Sequence, residues 1–393
     1  MNILEEIQNC PVEWKELGEV VDYEQPTKYI VSSKAYAESN EIPVLTAGQS
    51  FILGYTNEKD GIYQASRNNP VIIFDDFTTS KQWVDFQFKV KSSAMKMLTI
   101  KDEFESEVLL RYAWHYLGTI TYKPDQHGRQ WIGTYSKFLI PIPPLKIQEK
   151  IVQILDKFTD YVTELTSELT SRKKQYSFYR DTLLSFEDEV YQVEWKTLEE
   201  VAKDFGRGKS KHRPRNDVRL YGGDIPFIQT GDIREAGKWI ENYSQTYNEF
   251  GLQQSKQWEK GTLCITIAAN IAETGLLGFD ACFPDSIIGF VANPEFAITE
   301  YVYYYLNSIK DYLANKSYGS VQDNLNLSTF SSLKIPVPSL EIQSRIVQVL
   351  DNFDTICNDL NIGLPKEIEL RQKQYEYWRN MLFNFDKIGE RVL

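Results

Sequence analysis

"IPIPPLKIQEKIVQILDKF" at residues 140–158 returns near the end of the chain as "IPVPSLEIQSRIVQVLDNF" at residues 335–353. The offset is 195 residues at both ends (335 − 140 and 353 − 158), so nineteen positions repeat without a gap. Each copy starts with a proline-containing run and continues with apolar residues at helical spacing. The repeat predicts one structural device used twice in a single polypeptide.

The repeat extends upstream of both helices. "VEWKELGEV" (residues 12–20) corresponds to "VEWKTLEEV" (193–201), and "EIPVLTAG" (41–48) corresponds to "DIPFIQTG" (224–231). Between these anchors the two copies diverge almost completely. We therefore expect two tandem copies of one scaffold that carry two different surfaces.

The fold class predicted for each copy is mixed α/β (α+β). Runs such as "PVIIFDDF", "WVDFQFKV" and "GTLCITIAA" have the composition of strands, whereas "EFESEVLLRYAWHYL" and "TEYVYYYLNSIKDYL" are typical of helices. A length of 393 residues suits two domains. The predicted boundaries are domain 1 at 1–144, long helix 1 at 145–186, domain 2 at 187–339 and long helix 2 at 340–386.

The two long helices carry apolar residues in alternating steps of three and four, which is the pattern of a coiled-coil seam. The simplest way to bury two such stripes is an antiparallel pair with pseudo-two-fold symmetry; the alternative is an amphipathic helix facing a domain core. Gly363 and Pro365 should kink or break the second helix. The predicted seam residues are Ile151, Ile154, Phe158, Leu165, Ile346, Val349, Phe353 and Leu360.

Composition excludes several classes of protein. The four cysteines form no CxxC pair and the chain has three histidines, which argues against a zinc site or a disulfide framework. No apolar run approaches the ~20 residues of a membrane helix, and "MNILEEIQNC" lacks a signal pattern. We expect a cytoplasmic protein. The net charge of −12 disfavours nucleic acid as a partner, but phosphates respond to a local patch more than to the average.

At this point the chain resembles the specificity (S) subunit of type I restriction-modification systems. The resemblance rests on the doubled IP(I/V)P helix motif, on "RKKQYSFYRDTLLSF" and "RQKQYEYWRNMLFNF", and on "WKELGEV". It implies two target-recognition domains that each read half of a split sequence in double-stranded DNA. The helices would set the gap and dock two methyltransferase (M) subunits, with restriction/translocase (R) subunits in the same complex. S-adenosylmethionine, ATP and Mg would then belong to those partners.

The candidate DNA-binding residues of domain 2 begin with the loop "FGRGKSKHRPRND". Cations suit phosphates, and amides and hydroxyls suit base edges. The alternative interpretations are a solvated basic loop and polar residues that merely complete turns. The candidates are Arg207, Lys209, Lys211, Arg213, Arg215, Gln229, Thr230 and Asn270.

In domain 1, "FDDFTTSKQW" places polar residues directly after an apolar strand, and "QHGRQWIG" adds a second group before the first long helix. The adjacent carboxylates Asp75 and Asp76 are one feature of metal sites, but no further carboxylate cluster in the sequence supports one. The candidates are Thr78, Thr79, Ser80, Lys81, Gln82, His127, Arg129 and Gln130.

No catalytic constellation is apparent in the sequence. "GRGKS" resembles the end of a phosphate loop, but that motif needs glycine at position 203, where the chain has Lys203. We therefore expect a non-catalytic DNA-recognition subunit with no catalytic residues and no metal of its own. The runner-up is a duplicated-domain, nucleotide-dependent hydrolase using the Lys209 loop, and a third possibility is a coiled-coil adaptor without DNA affinity.

Overall fold

The structure is a computed structural model that describes residues 3–46, 51–122, 124, 128–186, 193–268, 272–318 and 326–385. The chain forms two compact units. Unit 1 comprises residues 1–164 and 368–393, and unit 2 comprises residues 165–367. None of the described helices is long and apolar enough to cross a membrane.

The described residues alternate strands and helices. The strands are β1 (Glu13–Glu16), β2 (Val21–Glu24), β3 (Ile42–Leu45), β4 (Ile52–Thr56), β5 (Val71–Asp75), β6 (Lys81–Val84), β7 (Lys89–Val90), β8 (Met95–Ile100), β9 (Leu139–Ile142), β10 (Glu194–Thr197), β11 (Ala202–Arg207), β12 (Tyr221–Phe227), β13 (Trp239–Ile240), β14 (Gln245–Tyr247), β15 (Gln257–Trp258), β16 (Leu263–Thr266), β17 (Thr274–Leu277), β18 (Ala281–Cys282), β19 (Ile287–Ala292) and β20 (Lys334–Val337). The helices are α1 (Ile3–Asn9), α2 (Leu17–Val20), α3 (Leu110–Leu117), α4 (Leu145–Ser185), α5 (Thr230–Glu235), α6 (Glu249–Gln253), α7 (Thr299–Ser308), α8 (Lys310–Tyr318), α9 (Leu327–Ser331), α10 (Leu340–Asn358) and α11 (Leu364–Leu382). The mixed fold class predicted from the sequence is confirmed.

Unit 1 is built on a four-stranded antiparallel sheet of order β2-β8-β5-β6, with a three-stranded sheet of order β4-β3-β7 beside it. Strand β5 is buried along its whole length. Ile72 and Phe74 enter the core that contains α3 and α4, while Val71 and Ile73 enter a second core on the other face. Burial on both faces explains why "VIIF" (residues 71–74) is continuously apolar instead of alternating.

Unit 2 repeats this plan with a larger sheet of order β11-β19-β16-β17-β13 and a four-stranded sheet of order β14-β12-β18-β15. Its central strand β16 is also fully buried. Leu263 and Ile265 face the core that contains α7 and α10, and Cys264 faces the opposite core. The burial of Cys264 accords with a structural role for this thiol.

The two motifs that flank each copy pair with each other. In unit 1, β1 and β9 form an antiparallel pair with Trp14 opposite Pro141. In unit 2, β10 and β20 do the same, with Trp195 opposite Pro336. The VEWK and IP(I/V)P motifs therefore close each domain where the long helix begins, which gives a physical reason for their repetition.

The long helices pack in the antiparallel sense within each unit. In unit 1, Ile151 near the start of α4 shares a core with Leu382 at the end of α11. In unit 2, Leu183 near the end of α4 packs against the core that contains Leu350 of α10. The ring of Phe353 also stacks on Tyr179 at a centroid distance of 5.5 Å.

The phase of the seam differs from the prediction at alternate positions. Val349 and Leu360 were expected on the seam but are 39% and 71% exposed, whereas Leu350 and Cys357 are buried. The sequence could not choose because apolar residues occupy adjacent positions, as in Val349–Leu350 and Ile356–Cys357. The inward-facing stripe of α10 keeps the three–four spacing as Gln343, Ile346, Leu350, Phe353 and Cys357.

The other predicted seam positions lie on the inward side of their helices. Ile151 and Ile346 are buried, and Ile154 and Phe158 pack partly buried against the core of unit 1. Leu165 and Phe353 are half-buried.

The second long helix is interrupted as Gly363 and Pro365 predict. Helix α10 ends at Asn358 and α11 begins at Leu364. Gly363 lies so close to the preceding turn that a Cβ atom would approach the Thr355 carbonyl oxygen to 2.5 Å. Any larger residue there would have to move the backbone.

Candidate nucleic-acid interface

The basic loop of unit 2 connects β11 to β12 and exposes all five of its predicted cations, Arg207, Lys209, Lys211, Arg213 and Arg215. Gly208 fixes the start of the loop, because a Cβ atom would lie 2.1 Å from the carbonyl oxygen of Phe283. The backbone N–H of Gly208 donates to the carbonyl of Ile287 at 2.9 Å. The Ser255 hydroxyl donates to the Lys209 carbonyl at 2.7 Å. The loop is therefore held by its backbone while the charged side chains point to solvent.

Most of the charge in this loop is uncompensated. Arg215 makes a two-pronged contact with the Asp285 carboxylate, at 2.7 and 2.8 Å. Arg213 donates to the carbonyls of Ser210 and His212 rather than to a carboxylate. Within the described part of the chain, no ion pair engages Arg207, Lys209 or Lys211 in this loop. A surface patch of this kind attracts phosphate despite the acidic chain average.

Asp217, at the end of the loop, is already occupied by other partners. Its carboxylate accepts hydrogen bonds from Arg219 and from His212, the latter at 2.7 Å. The Arg219 contacts hold the pKa of Asp217 well below its usual range. This carboxylate is therefore ionised. Its charge is paired with Arg219 and not with the five cations of the basic loop.

Two further candidates of unit 2, Gln229 and Thr230, lie at the start of α5. The Gln229 amide donates to the Gln245 side chain at 3.1 Å, and the Gln229 backbone N–H donates to Asp232 at 2.7 Å. Thr230 opens the helix and is half-buried. Gln229 therefore has a structural role of the kind that the turn interpretation anticipated. Asn270 lies outside the described residues, and its assignment stays a prediction.

In unit 1 the predicted loop joins β5 to β6 as a tight hairpin. Thr78, Ser80 and Gln82 are exposed, and Thr79 is half-buried with a left-handed φ of 62°. The Thr78 hydroxyl donates to the Asp75 carboxylate at 2.6 Å. The hairpin thus presents a compact set of hydroxyl and amide groups at the end of a buried strand.

The second candidate group of unit 1 adjoins this hairpin. The Asp76 carbonyl accepts from the backbone N–H of Gln130 at 2.8 Å, and the Asp76 carboxylate accepts from the backbone N–H of Trp131 at 2.8 Å. Arg129 is exposed on this segment, whereas His127 lies outside the described residues. The structure therefore brings together two sequence groups that lie fifty residues apart.

Two predicted contact residues are engaged inside the domain instead of on its surface. Gln130 is 6% exposed, and its amide donates to the Gly128 carbonyl at 2.8 Å. The Lys81 ammonium lies 3.8 Å from the centroid of the Trp114 ring and donates to the Trp114 carbonyl. Burial, together with the nearby Arg379 and Arg111, lowers the pKa of Lys81. Both side chains serve the domain's own structure, a role that their polarity alone could not reveal.

The adjacent carboxylates Asp75 and Asp76 both hold loops in place. Asp75 accepts hydrogen bonds within the hairpin, while Asp76 is fully buried and lies 3.3 Å from the buried Lys96 ammonium. Among the described residues, no group of three or more potential ligand side chains could hold a metal ion. The positioning role of these two aspartates was missed at the level of sequence, where Asp-Asp before a polar run was the only available signal.

Comparison with known proteins places both repeats in one family. The family model "Type I restriction modification DNA specificity domain" matches residues 11–172 and 192–370, which are the two repeats. The type I restriction enzyme EcoR124I/EcoR124II specificity subunit of Escherichia coli is 45% identical over an alignment 408 positions long, which covers 98% of each chain.

Solved structures support the fold. The S subunit of a type I restriction-modification system from M. genitalium aligns with a TM-score of 0.59 at 16% identity, covering 95% of this chain and 96% of that one. A chain from a structure of the type I R-M system aligns with a TM-score of 0.54 at 17% identity, covering 95% and 98%. The chain belongs to the type I restriction-modification DNA specificity family. It is the specificity subunit of such a system, and the hydrolase alternative finds no support.

Proposed function

We propose that this subunit reads a bipartite target in double-stranded DNA, with each unit contacting one half-site. The observation that carries the proposal is the pair of equivalent scaffolds, closed by the same strand pairing, that expose unlike polar loops. A scaffold that is kept while its surface loops diverge suits two readers of two different sequences. Family membership supports the same function.

Phosphate contacts would come first from the basic loop of unit 2. Exposed Arg and Lys side chains neutralise phosphates and release counterions, which makes affinity fall steeply with salt. The hairpin of unit 1 and Arg129 are the corresponding surface for the other half-site. Base selection would then depend on hydroxyl and amide groups that approach groove edges.

The 41-residue helix α4 would act as a spacer between the half-sites. At about 1.5 Å per residue it is about 60 Å long, far longer than a single domain requires. The helices would also dock the methyltransferase subunits, and restriction/translocase subunits would complete the complex. The subunit itself would be non-catalytic, and S-adenosylmethionine, ATP and Mg would act on the partners.

The decisive experiment alters one domain or the length of α4. It then maps the methylated DNA positions in a host that carries the altered subunit with its partners. Replacing residues 1–144 with the corresponding domain of another specificity subunit should change one half-site and leave the other intact. Inserting four residues in the exposed middle of α4 should lengthen the gap by roughly one or two base pairs, since four residues add about 6 Å. A change in both half-sites, or a gap that stays the same, would contradict the proposal.

A further inference from the structure

The hairpin loop between β5 and β6 in unit 1 is unusually well fixed for an exposed segment. The Asp75 carboxylate, itself 4% exposed, accepts hydrogen bonds from the backbone N–H groups of Phe77 and Thr78, at 2.9 and 3.2 Å. It also accepts the Thr78 hydroxyl at 2.6 Å. One buried carboxylate therefore sets the conformation of the loop tip.

The loop also contains backbone strain. Thr79 has φ of 62°, a region that β-branched residues rarely occupy. Glycine would adopt this conformation without strain, but the half-buried Thr79 also contributes a side-chain hydrogen bond to Tyr135. Strain that is retained at a surface loop indicates that the loop's shape and side chains have a use.

Unit 2 contains an equivalent antiparallel strand pair, β16 and β17, with a comparable closing hydrogen bond. In unit 1 the Thr79 N–H donates to the Asp75 carbonyl, and in unit 2 the Ala272 N–H donates to the Thr266 carbonyl, both at 2.9 Å. Ala272 also has φ of 62°. In the sequence, the residues joined by this hydrogen bond are four positions apart in unit 1 (75 and 79) and six apart in unit 2 (266 and 272). A fixed frame with a variable insert is the arrangement expected of a specificity loop.

Phe77 is the apolar residue that this frame presents. It is 38% exposed and is flanked by the exposed Thr78. Through Asp76, the same loop is tied to the segment that carries Arg129. Because the backbone is already fixed, little loop entropy would be lost when the ring is buried against a partner.

We infer that Phe77 is a specificity-determining residue that packs against the C5-methyl group of a thymine in the half-site read by unit 1. The thymine methyl is the apolar group that base pairs offer in the major groove, and phenylalanine is one of the side chains suited to it. The polar Thr78 and Ser80 would face the donors and acceptors of adjacent bases. This inference rests on the proposed function, because it names one base contact of that same interface.

The test uses the full subunit assembled with its methyltransferase partners and a duplex carrying the mapped target. Each thymine of the first half-site is replaced in turn by deoxyuridine, which lacks only the methyl group. We expect one replacement to weaken binding by wild type roughly fourfold, the value for one buried methyl group. The F77A variant should already bind more weakly and should not respond to that replacement.

A matched control is Phe86→Ala, which removes an equally exposed phenylalanine beyond the other end of β6. This variant should respond to deoxyuridine as wild type does. The inference is overturned if no thymine replacement weakens wild type, if F77A and wild type respond equally, or if the first half-site has no thymine on either strand. If the wild-type complex does not bind the unmodified duplex at all, the proposed function is refuted instead.

Discussion

Gln148 of α4 and Gln343 of α10 make the same three hydrogen bonds in their respective units, 195 residues apart. The amide of Gln148 donates to the carbonyls of Glu107 and Pro143, and its oxygen accepts the Leu109 backbone N–H. All three distances lie between 2.7 and 3.0 Å. The glutamine joins the first turn of the long helix to the segment that leads into α3.

Gln343 reproduces this clamp in unit 2. Its amide donates to the carbonyls of Phe296 and Pro338, and its oxygen accepts the Ile298 backbone N–H. Both glutamines are fully buried. The glutamine in the repeated IQ motif is therefore a structural lock, which explains why a polar residue persists in an otherwise apolar stripe.

Replacing either glutamine with leucine should destabilise its own unit. The change leaves one buried N–H group and two carbonyls without their partner, which should lower the free energy of unfolding by about 3 kcal/mol. Amide hydrogen exchange at Leu109 or Ile298 measures the loss in the affected unit. Gln153→Leu and Gln348→Leu, at exposed positions one and a half turns further along each helix, are matched controls. Equal exchange in the clamp variants and the controls would contradict the role of the clamp.

The corrected phase of the seam gives a second prediction. Leu350→Ala should lower the free energy of unfolding by roughly 2–5 kcal/mol, because it leaves a cavity in a buried core. Val349→Ala changes an exposed side chain and should cost less than about 0.5 kcal/mol. Chemical denaturation of the two variants separates these cases. A larger loss in the Val349 variant would restore the phase predicted from the sequence.

Much of the fold was predictable because the repeat supplied an internal comparison. Two copies of the IP(I/V)P motif and an alternating three–four pattern predict two domains and two long helices. The exact stripe was not predictable, since adjacent apolar pairs such as Val349–Leu350 fit the pattern equally well in either phase. Only packing decides which member faces inward.

The sequence predicted which segments of the candidate site are exposed, but not which individual side chains are free to contact DNA. Arg207 to Arg215 form an exposed basic loop as expected from their sequence. Lys81 and Gln130 instead bind partners inside the domain, the carbonyls of Trp114 and Gly128. These contacts depend on the folded chain and could not be predicted from the sequence. A polar residue in a candidate loop carries no sign of whether its hydrogen bonds are already satisfied.

A third prediction concerns pH and the buried His115. Its ring nitrogens contact Asp156 at 2.8 Å and the Tyr375 hydroxyl at 3.0 Å. Burial lowers the pKa of His115 to about 4, although the hydrogen bond to Asp156 opposes this shift. The unfolded chain, with a histidine pKa near ~6.5, therefore binds more protons between these two values. The free energy of unfolding should fall as the pH drops through this window, by on the order of 3 kcal/mol in total.

His115→Gln should flatten that dependence, since glutamine can still donate to Asp156 but cannot take up a proton. Urea denaturation at several pH values between 4 and 7, followed by hydrogen exchange in unit 1, measures the slope. Burial alone would raise the pKa of the Asp156 carboxyl, but the hydrogen bonds from His115 and Arg111 lower it below its ordinary value. Identical slopes for wild type and variant would show that His115 does not control acid stability.

The fourth prediction compares two cations of the basic loop: Arg215, which is paired with Asp285, and Lys209, which has no ion pair among the described residues. The comparison tests which cations contact phosphates. Lys209→Ala should reduce the salt slope of DNA binding by about one, the value for one lost phosphate contact. Arg215→Ala should reduce it less, because Asp285 already neutralises that guanidinium. Asp285→Asn should free Arg215, tighten binding and steepen the slope. Titrations of labelled duplex at several salt concentrations measure all three slopes; if Asp285→Asn leaves the slope unchanged, Arg215 does not face the phosphates.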